Sequence, residues 1–270
     1  MTTALRRIPR VQPAPGPDLP RYVCFPPAGG SVRLLDPLAA ACPTGQVWGY
    51  QYPGRADRID ARPPDTLTEL AAQAAHELAD AFDRHTLQRT ALVGFSMGAL
   101  VALEVAQALR ARYGTGPAGL VVVGTTAPHR RPALRRLPAQ ADLTGLLASD
   151  TGTEAGADPT TRDEAVAYAR ELLQADLRLT VEYPGPADPV APCPVAALCG
   201  VDDPRRAGGD ATQAWSRWSS GPFAVHLVPG GHLDLLAPGR AEEFWVWLAR
   251  AAAAGVGPAQ GLGGSPLDLR

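Results

Sequence analysis

Most of what would mark this chain as a membrane, secreted or nucleotide-binding protein is missing from it. Its 270 residues contain no uncharged apolar run of the ~18 residues that a membrane-spanning helix needs. The first 20 residues carry arginines and five prolines but no continuous apolar stretch, so they lack the form of a secretion signal. Cysteine is scarce: four in a chain of this length do not make a disulfide scaffold. Cys24 and Cys199 fall in strand-like runs and read as small buried hydrophobes, while Cys42 and Cys193 stand beside prolines. A cytoplasmic location is the expectation that follows.

Charge of either sign is also lacking in excess. The formal net charge of -2 indicates neither a polyanion-binding surface nor an acidic tail, so no nucleic-acid partner is expected. Arg130-Arg131 and Arg135-Arg136 read as solvated surface. The glycine-rich stretch Ala28-Gly29-Gly30 lacks the G-x-G-x-x-G spacing of a dinucleotide fold, and no G-x-x-x-x-G-K-[ST] occurs. Metal ligation needs clustered His, Cys or carboxylates, which are scattered here; neither a metal nor a cofactor is expected.

What is present is enough apolar material, 46% of the residues, for one substantial core. Strand-like runs at 21–25, 47–52, 90–93, 120–123, 194–199 and 223–228 alternate with helical spacing at 32–41, 66–82, 97–112 and 240–251. Thr66 and Glu69 have the spacing of a capping box. That rhythm predicts an α/β fold: a mostly parallel, doubly wound sheet with helices on both faces. Residues 130–192 break the rhythm, with helical pieces at 139–147 and 162–179 around a polar segment at 149–160, and read as an inserted helical lid. Residues 1–20 read as a flexible arm, 21–254 as a single domain and 255–270 as a disordered tail.

Within this frame Gly94-Phe95-Ser96-Met97-Gly98 joins an apolar run to a helix, which is the setting of a G-x-S-x-G nucleophile elbow. A serine nucleophile needs a base and a group to orient it. Of five histidines, His232 follows the run 223–228 on a loop at the carboxyl edge of the sheet, the edge that carries Ser96. His129 competes, since it follows 120–123; His226 lies inside a strand, and His76 and His85 read as surface. The acid is Asp202 or Asp203, adjacent residues just past 194–199, with Pro204 biasing Asp203 toward extended backbone. For an oxyanion hole Met97 supplies the N–H after the nucleophile. Pro26 and Pro27 have no N–H, which leaves Ala28 as the first donor in the early loop.

The residues also carry a resemblance. Phe25-Pro26-Pro27-Ala28-Gly29-Gly30-Ser31, Tyr52-Pro53-Gly54-Arg55 with Arg58, Gly94 to Gly98, Ala127-Pro128-His129, Leu173-Gln174-Ala175-Asp176 with Tyr183, Gly200 to Pro204 and Gly230-Gly231-His232 resemble, in order, the stand-alone type II thioesterases of polyketide and nonribosomal peptide assembly lines. The resemblance spans about 21–250. It implies an α/β-hydrolase fold, Ser96 as nucleophile, His232 as base and Asp203 as orienting acid, with Met97 and Ala28 at the oxyanion hole. It places Ala127-Pro128-His129 outside the triad. It further implies hydrolysis of acyl thioesters from the phosphopantetheine arm of a carrier protein; such hydrolysis requires only water and no cofactor, and a monomer is the default expectation. Departures from the family pattern are Pro27, where histidine or tyrosine is common, Leu233, where phenylalanine is common, and the polar stretch 149–160. A carboxylesterase or an acyltransferase of the same fold would present the same triad. A non-catalytic carrier-binding protein is the alternative from another class.

Overall fold

The structure is a computed structural model, and it describes residues 4–8, 19–130, 159–186, 191–203, 211–237 and 239–258. Seven strands form one sheet: β1 (Leu5–Arg7), β2 (Arg21–Phe25), β3 (Gln46–Tyr50), β4 (Thr90–Phe95), β5 (Gly119–Val123), β6 (Val195–Gly200) and β7 (Phe223–Val228). Their spatial order is β1-β3-β2-β4-β5-β6-β7. Every neighbouring pair is parallel except β1 with β3.

Parallel strands are joined by crossovers, so helices cover both faces and the central strands are apolar throughout. All six residues of β4 are buried. Its side chains alternate between two cores: Leu92 belongs to one, and Ala91, Val93 and Phe95 to the other. The first core is closed by α2 (Leu67–Ala81), α4 (Met97–Tyr113) and part of α5 (Pro159–Glu182). The second is closed by α1 (Asp36–Ala41) and α6 (Ala241–Ala253), whose Trp245 packs edge-on against Tyr22 and donates its indole N–H to the Leu38 carbonyl at 2.8 Å. A short α3 (Arg84–Gln88) precedes β4, capped by Asp83.

Local chemistry sets the element boundaries. Thr66 caps α2 by accepting from the Glu69 N–H, while Glu69 returns its bond to the Asp65 N–H and not to Thr66. The helix expected over 32–41 is split into a 3-10 turn, Val32–Leu35, and α1, with Pro37 in the first turn of α1. The expected helix 162–179 is one longer helix of 24 residues, α5.

Residues 4–8 correct the expectation of a flexible arm. Leu5–Arg7 pairs antiparallel with β3, and Ala4, Leu5 and Ile8 are buried. The strand is three residues long and draws its partner from tertiary structure, so the local pattern does not signal it. The tail expectation is corrected over 255–258, where Val256 is fully buried. Residues 1–3, 9–18, the expected helix 139–147, the segment 149–158 and the tail 259–270 lie outside the described residues. All four cysteines are buried and none is in a disulfide, and burial pushes the thiols of Cys24 and Cys193 up.

Candidate active site

Strands β4, β6 and β7 run the same way, so their carboxyl ends share one edge of the sheet. Ser96 follows β4 directly, Asp203 stands three residues past β6, and His232 stands four past β7. Open α/β sheets place ligands at this edge.

Ser96 sits at φ 53, ψ -113, one of two non-glycine residues with positive φ among the described residues. That backbone is strained for an L-residue by about 1–3 kcal/mol. It is held because the Ser96 N–H donates to the Val123 carbonyl at 2.8 Å and the next residue begins α4. The two glycines of the pentapeptide permit the crossing. A Cβ on Gly94 would lie 2.3 Å from the Ala99 backbone, and one on Gly98 would lie 2.1 Å from the Phe25 carbonyl oxygen.

His232 bridges the other two side chains. Its Nδ1 lies 2.6 Å from Asp203 Oδ2 and its Nε2 lies 3.0 Å from Ser96 Oγ. A carboxylate only accepts, so Nδ1 carries the proton and Nε2 is left to accept from the serine hydroxyl. The Asp203 side chain is 1% exposed and that of His232 14% exposed. Asp202 is exposed, its N–H bonded to the Gly230 carbonyl, and it does not meet the imidazole. Adjacent residues after a strand point apart, and only one can face inward. Gly124, past β5, backs the histidine: a Cβ there would lie 3.2 Å from the imidazole.

Three of the other four histidines are engaged elsewhere. His129 accepts the Trp218 indole N–H at Nδ1, 2.7 Å away, and stacks on that ring. Burial first, then Arg217 and Arg130, hold its pKa below the usual histidine value. His226 packs against Trp247, and His76 pairs with Asp80.

Met97 opens α4, where the first N–H groups of a helix have no intrahelical partner. Ala28 lies in a turn in which the Gly30 N–H donates to the Pro27 carbonyl at 3.0 Å, with Gly29 at φ 77. This turn and the elbow touch through Gly98 and the carbonyls of Phe25 and Pro26. Both Met97 and Ala28 are buried.

One cluster beside this turn had only its motif letters to announce it. Arg55 and Asp176, both buried, form a two-pronged ion pair at 2.6 and 2.8 Å. Burial opposes the charge on Arg55, the Asp176 carboxylate more than offsets it, and the net shift is upward. Helix α5 is tied down further by the Tyr168 hydroxyl, which donates to the Gly54 carbonyl at 2.6 Å, and just past its end Tyr183 donates to Glu104 at 2.7 Å. A cavity of about 580 Å³ lies alongside, lined by Gly29, Arg55, Ile59, Tyr168 and Leu172 among others, and not by Ser96 or His232. Among the described residues no cluster of His, Cys, Asp or Glu could hold a metal ion, and no helix is long and apolar enough to cross a membrane.

Known proteins are similar to this chain over most of its length. The thioesterase PikA5 of Streptomyces venezuelae is 34% identical over 229 residues, which is 84% of this chain and 79% of that protein. The type II thioesterase BorB from the borrelidin biosynthetic cluster superposes with a TM-score of 0.72 at 30% identity, covering 93% of this chain and 98% of its own. RedJ, a thioesterase from the prodiginine biosynthetic pathway in Streptomyces coelicolor, gives 0.68 at 30% identity, with 89% and 91% covered. The family model described as thioesterase domain matches residues 20–246, so the chain belongs to the thioesterase family, with its α/β-hydrolase fold.

Proposed function

We propose that this protein hydrolyses acyl thioesters carried on the phosphopantetheine arm of carrier proteins and clears stalled or aberrant acyl units from a polyketide or nonribosomal peptide assembly line. The observation that carries the chemistry is the bridging position of His232, 3.0 Å from Ser96 Oγ and 2.6 Å from Asp203. The type II thioesterase of the borrelidin biosynthetic cluster and the thioesterase of the prodiginine biosynthetic pathway support the substrate class.

In this reading Ser96 Oγ attacks the thioester carbonyl while His232 Nε2 takes its proton, and Asp203 stabilises the imidazolium. The N–H groups of Met97 and Ala28 receive the charge that develops on the carbonyl oxygen. His232 then protonates the departing thiol, leaving an acyl-serine. Water, deprotonated by the same imidazole, attacks the acyl carbon, and the acid leaves as Ser96 regains its proton. Residues 130–192, with α5, act as a lid that shelters the acyl chain and admits the long arm. No cofactor enters the scheme. The protein works as a cytoplasmic monomer, its partner the carrier.

The test loads a carrier protein with acetyl, propionyl and longer acyl groups and follows their release by mass, with wild type and with Ser96→Ala. Release by wild type alone supports the reading. Equal release by both removes the serine mechanism. Turnover of p-nitrophenyl esters without release from any carrier identifies an esterase instead.

A further inference from the structure

The buried Arg55–Asp176 pair is remote from the triad in sequence, yet among the described residues each side-chain hydrogen bond it makes beyond itself ends on the Ala28 turn. Asp176 Oδ2 accepts the Gly29 N–H at 2.7 Å as well as Arg55 Nη1 at 2.6 Å. Arg55 Nη1 also donates to the Gly30 carbonyl at 3.2 Å. The Tyr52 hydroxyl, whose ring lies under the Arg55 guanidinium at 5.2 Å, donates to the Pro26 carbonyl at 2.9 Å.

These bonds orient successive peptide planes. Each peptide is planar and trans, so fixing its carbonyl fixes the direction of its N–H. The Pro27 carbonyl, held by the Gly30 N–H, belongs to the peptide whose N–H is that of Ala28. The Gly29 N–H, held by Asp176, belongs to the next peptide. Gly29 at φ 77 has the freedom to flip that peptide, and Asp176 removes it. Leu173, one turn before Asp176 on α5, closes over the same glycine: a Cβ on Gly29 would lie 3.1 Å from the Leu173 Cβ.

We propose that Arg55 and Asp176 are positioning residues for the oxyanion hole: they lock the Pro27–Gly30 turn so that the Ala28 N–H converges with that of Met97, and they make this alignment depend on the seating of α5. The inference rests on the serine-hydrolase reading above. Its consequence is that transition-state stabilisation is completed only when the insertion helix is docked, since one carboxylate on that helix serves both the arginine and the turn. The pair is buried, so it acts as a fixed clamp and not as a group in contact with substrate.

Asp176→Asn tests this. An amide offers one acceptor oxygen where the carboxylate uses two, so the arginine fork is lost in either orientation, and the Gly29 bond with it when the amide nitrogen takes the place of Oδ2. Arg55→Lys is the second variant: it keeps the charge but cannot span both carboxylate oxygens and the Gly30 carbonyl. Hydrolysis of p-nitrophenyl butyrate is measured beside inhibition by an alkyl trifluoromethyl ketone, whose serine hemiketal places an oxyanion between the same donors. Losing an oxyanion donor outright costs about 10²–10³ in kcat. A misdirected donor is expected to cost about 10- to 100-fold, with KM within about threefold and inhibitor affinity falling in parallel with kcat. Variants that remain folded by circular dichroism with unchanged kcat and unchanged inhibitor affinity overturn the proposal, as does a loss confined to KM. If Asp176→Asn does not fold, Arg55→Lys decides by the same readouts. Ser96→Ala, run alongside, separates the two readings: hydrolysis surviving in that variant removes the serine chemistry itself, whereas an inactive Ser96→Ala with fully active Asp176 and Arg55 variants removes only the clamp.

Discussion

Asp203 and His232 stand 29 residues apart in the chain, and their side chains meet at 2.6 Å with the carboxylate sealed from solvent. Asp202, its neighbour, faces outward. Asp203→Asn is therefore expected to lower kcat on the order of 10⁴-fold by disturbing the imidazole tautomer that accepts from serine. Asp202→Asn should leave kcat within about twofold. Steady-state hydrolysis of an acyl thioester by both variants checks the pair, and a larger loss at Asp202 would contradict the assignment.

Ser96→Gly should trade activity for stability. Glycine relieves the strain at φ 53 while costing about 0.5–1 kcal/mol of backbone entropy, so a net gain of about 1 kcal/mol is expected. That corresponds to a Tm higher by about 3 °C. Hydrolysis should be lost. A melting curve at or below wild type would show that the elbow stores no strain.

Gly98→Ala should damage the site through the backbone. Its Cβ would overlap the Phe25 and Pro26 carbonyl oxygens at 2.1 and 2.6 Å, which forces the Ala28 turn away from α4. A stability loss of about 1–3 kcal/mol is expected. A fall in kcat should exceed any rise in KM, because the donors move while the substrate channel does not. Urea melts and steady-state kinetics together read both effects.

Acid should weaken the fold through His129. Its pKa is depressed in the native state by burial first and then by Arg217 and Arg130, and its Nδ1 must be unprotonated to accept from Trp218. The unfolded chain, with an ordinary pKa near 6.5, binds the proton more readily, so stability rises with pH across this window. The contribution is complete above about pH 6.5 and is lost as pH falls through the lower native value. His129→Gln should flatten the dependence of Tm on pH between 7 and 5. An unchanged slope would assign the acid sensitivity elsewhere, with His226, whose pKa burial and Arg250 also lower, the next group to replace.

Elements with strong local signals were legible in sequence. The run 223–228 is β7 to the residue, and α4 begins immediately after Ser96 because the elbow itself sets the helix start. The split at Val32–Leu35 shows a proline overriding helical spacing. The strand Leu5–Arg7 was hidden because three residues carry too little pattern and its stability comes from the exposed edge of β3. In the site, Ser96, His232 and the two candidate aspartates followed from their places after apolar strands. The pairing of Arg55 with Asp176 did not: each stood only as a letter in a family-like run, and 121 residues of chain separate them.

What the sequence by itself determined is the order of the six parallel strands and the main helices between them and the G-x-S-x-G turn, because hydrophobic periodicity and glycine placement act over a few residues. It also fixed the carboxyl edge as the place of chemistry, since parallel strands must all end there. The choice of Asp203 over Asp202, the engagement of His129 with Trp218, and the burial of Arg55 against Asp176 were decided only by tertiary structure. Each depends on which direction a side chain faces and what meets it from a distant segment, and in a close-packed interior that is settled by the whole fold and not by neighbours in the chain.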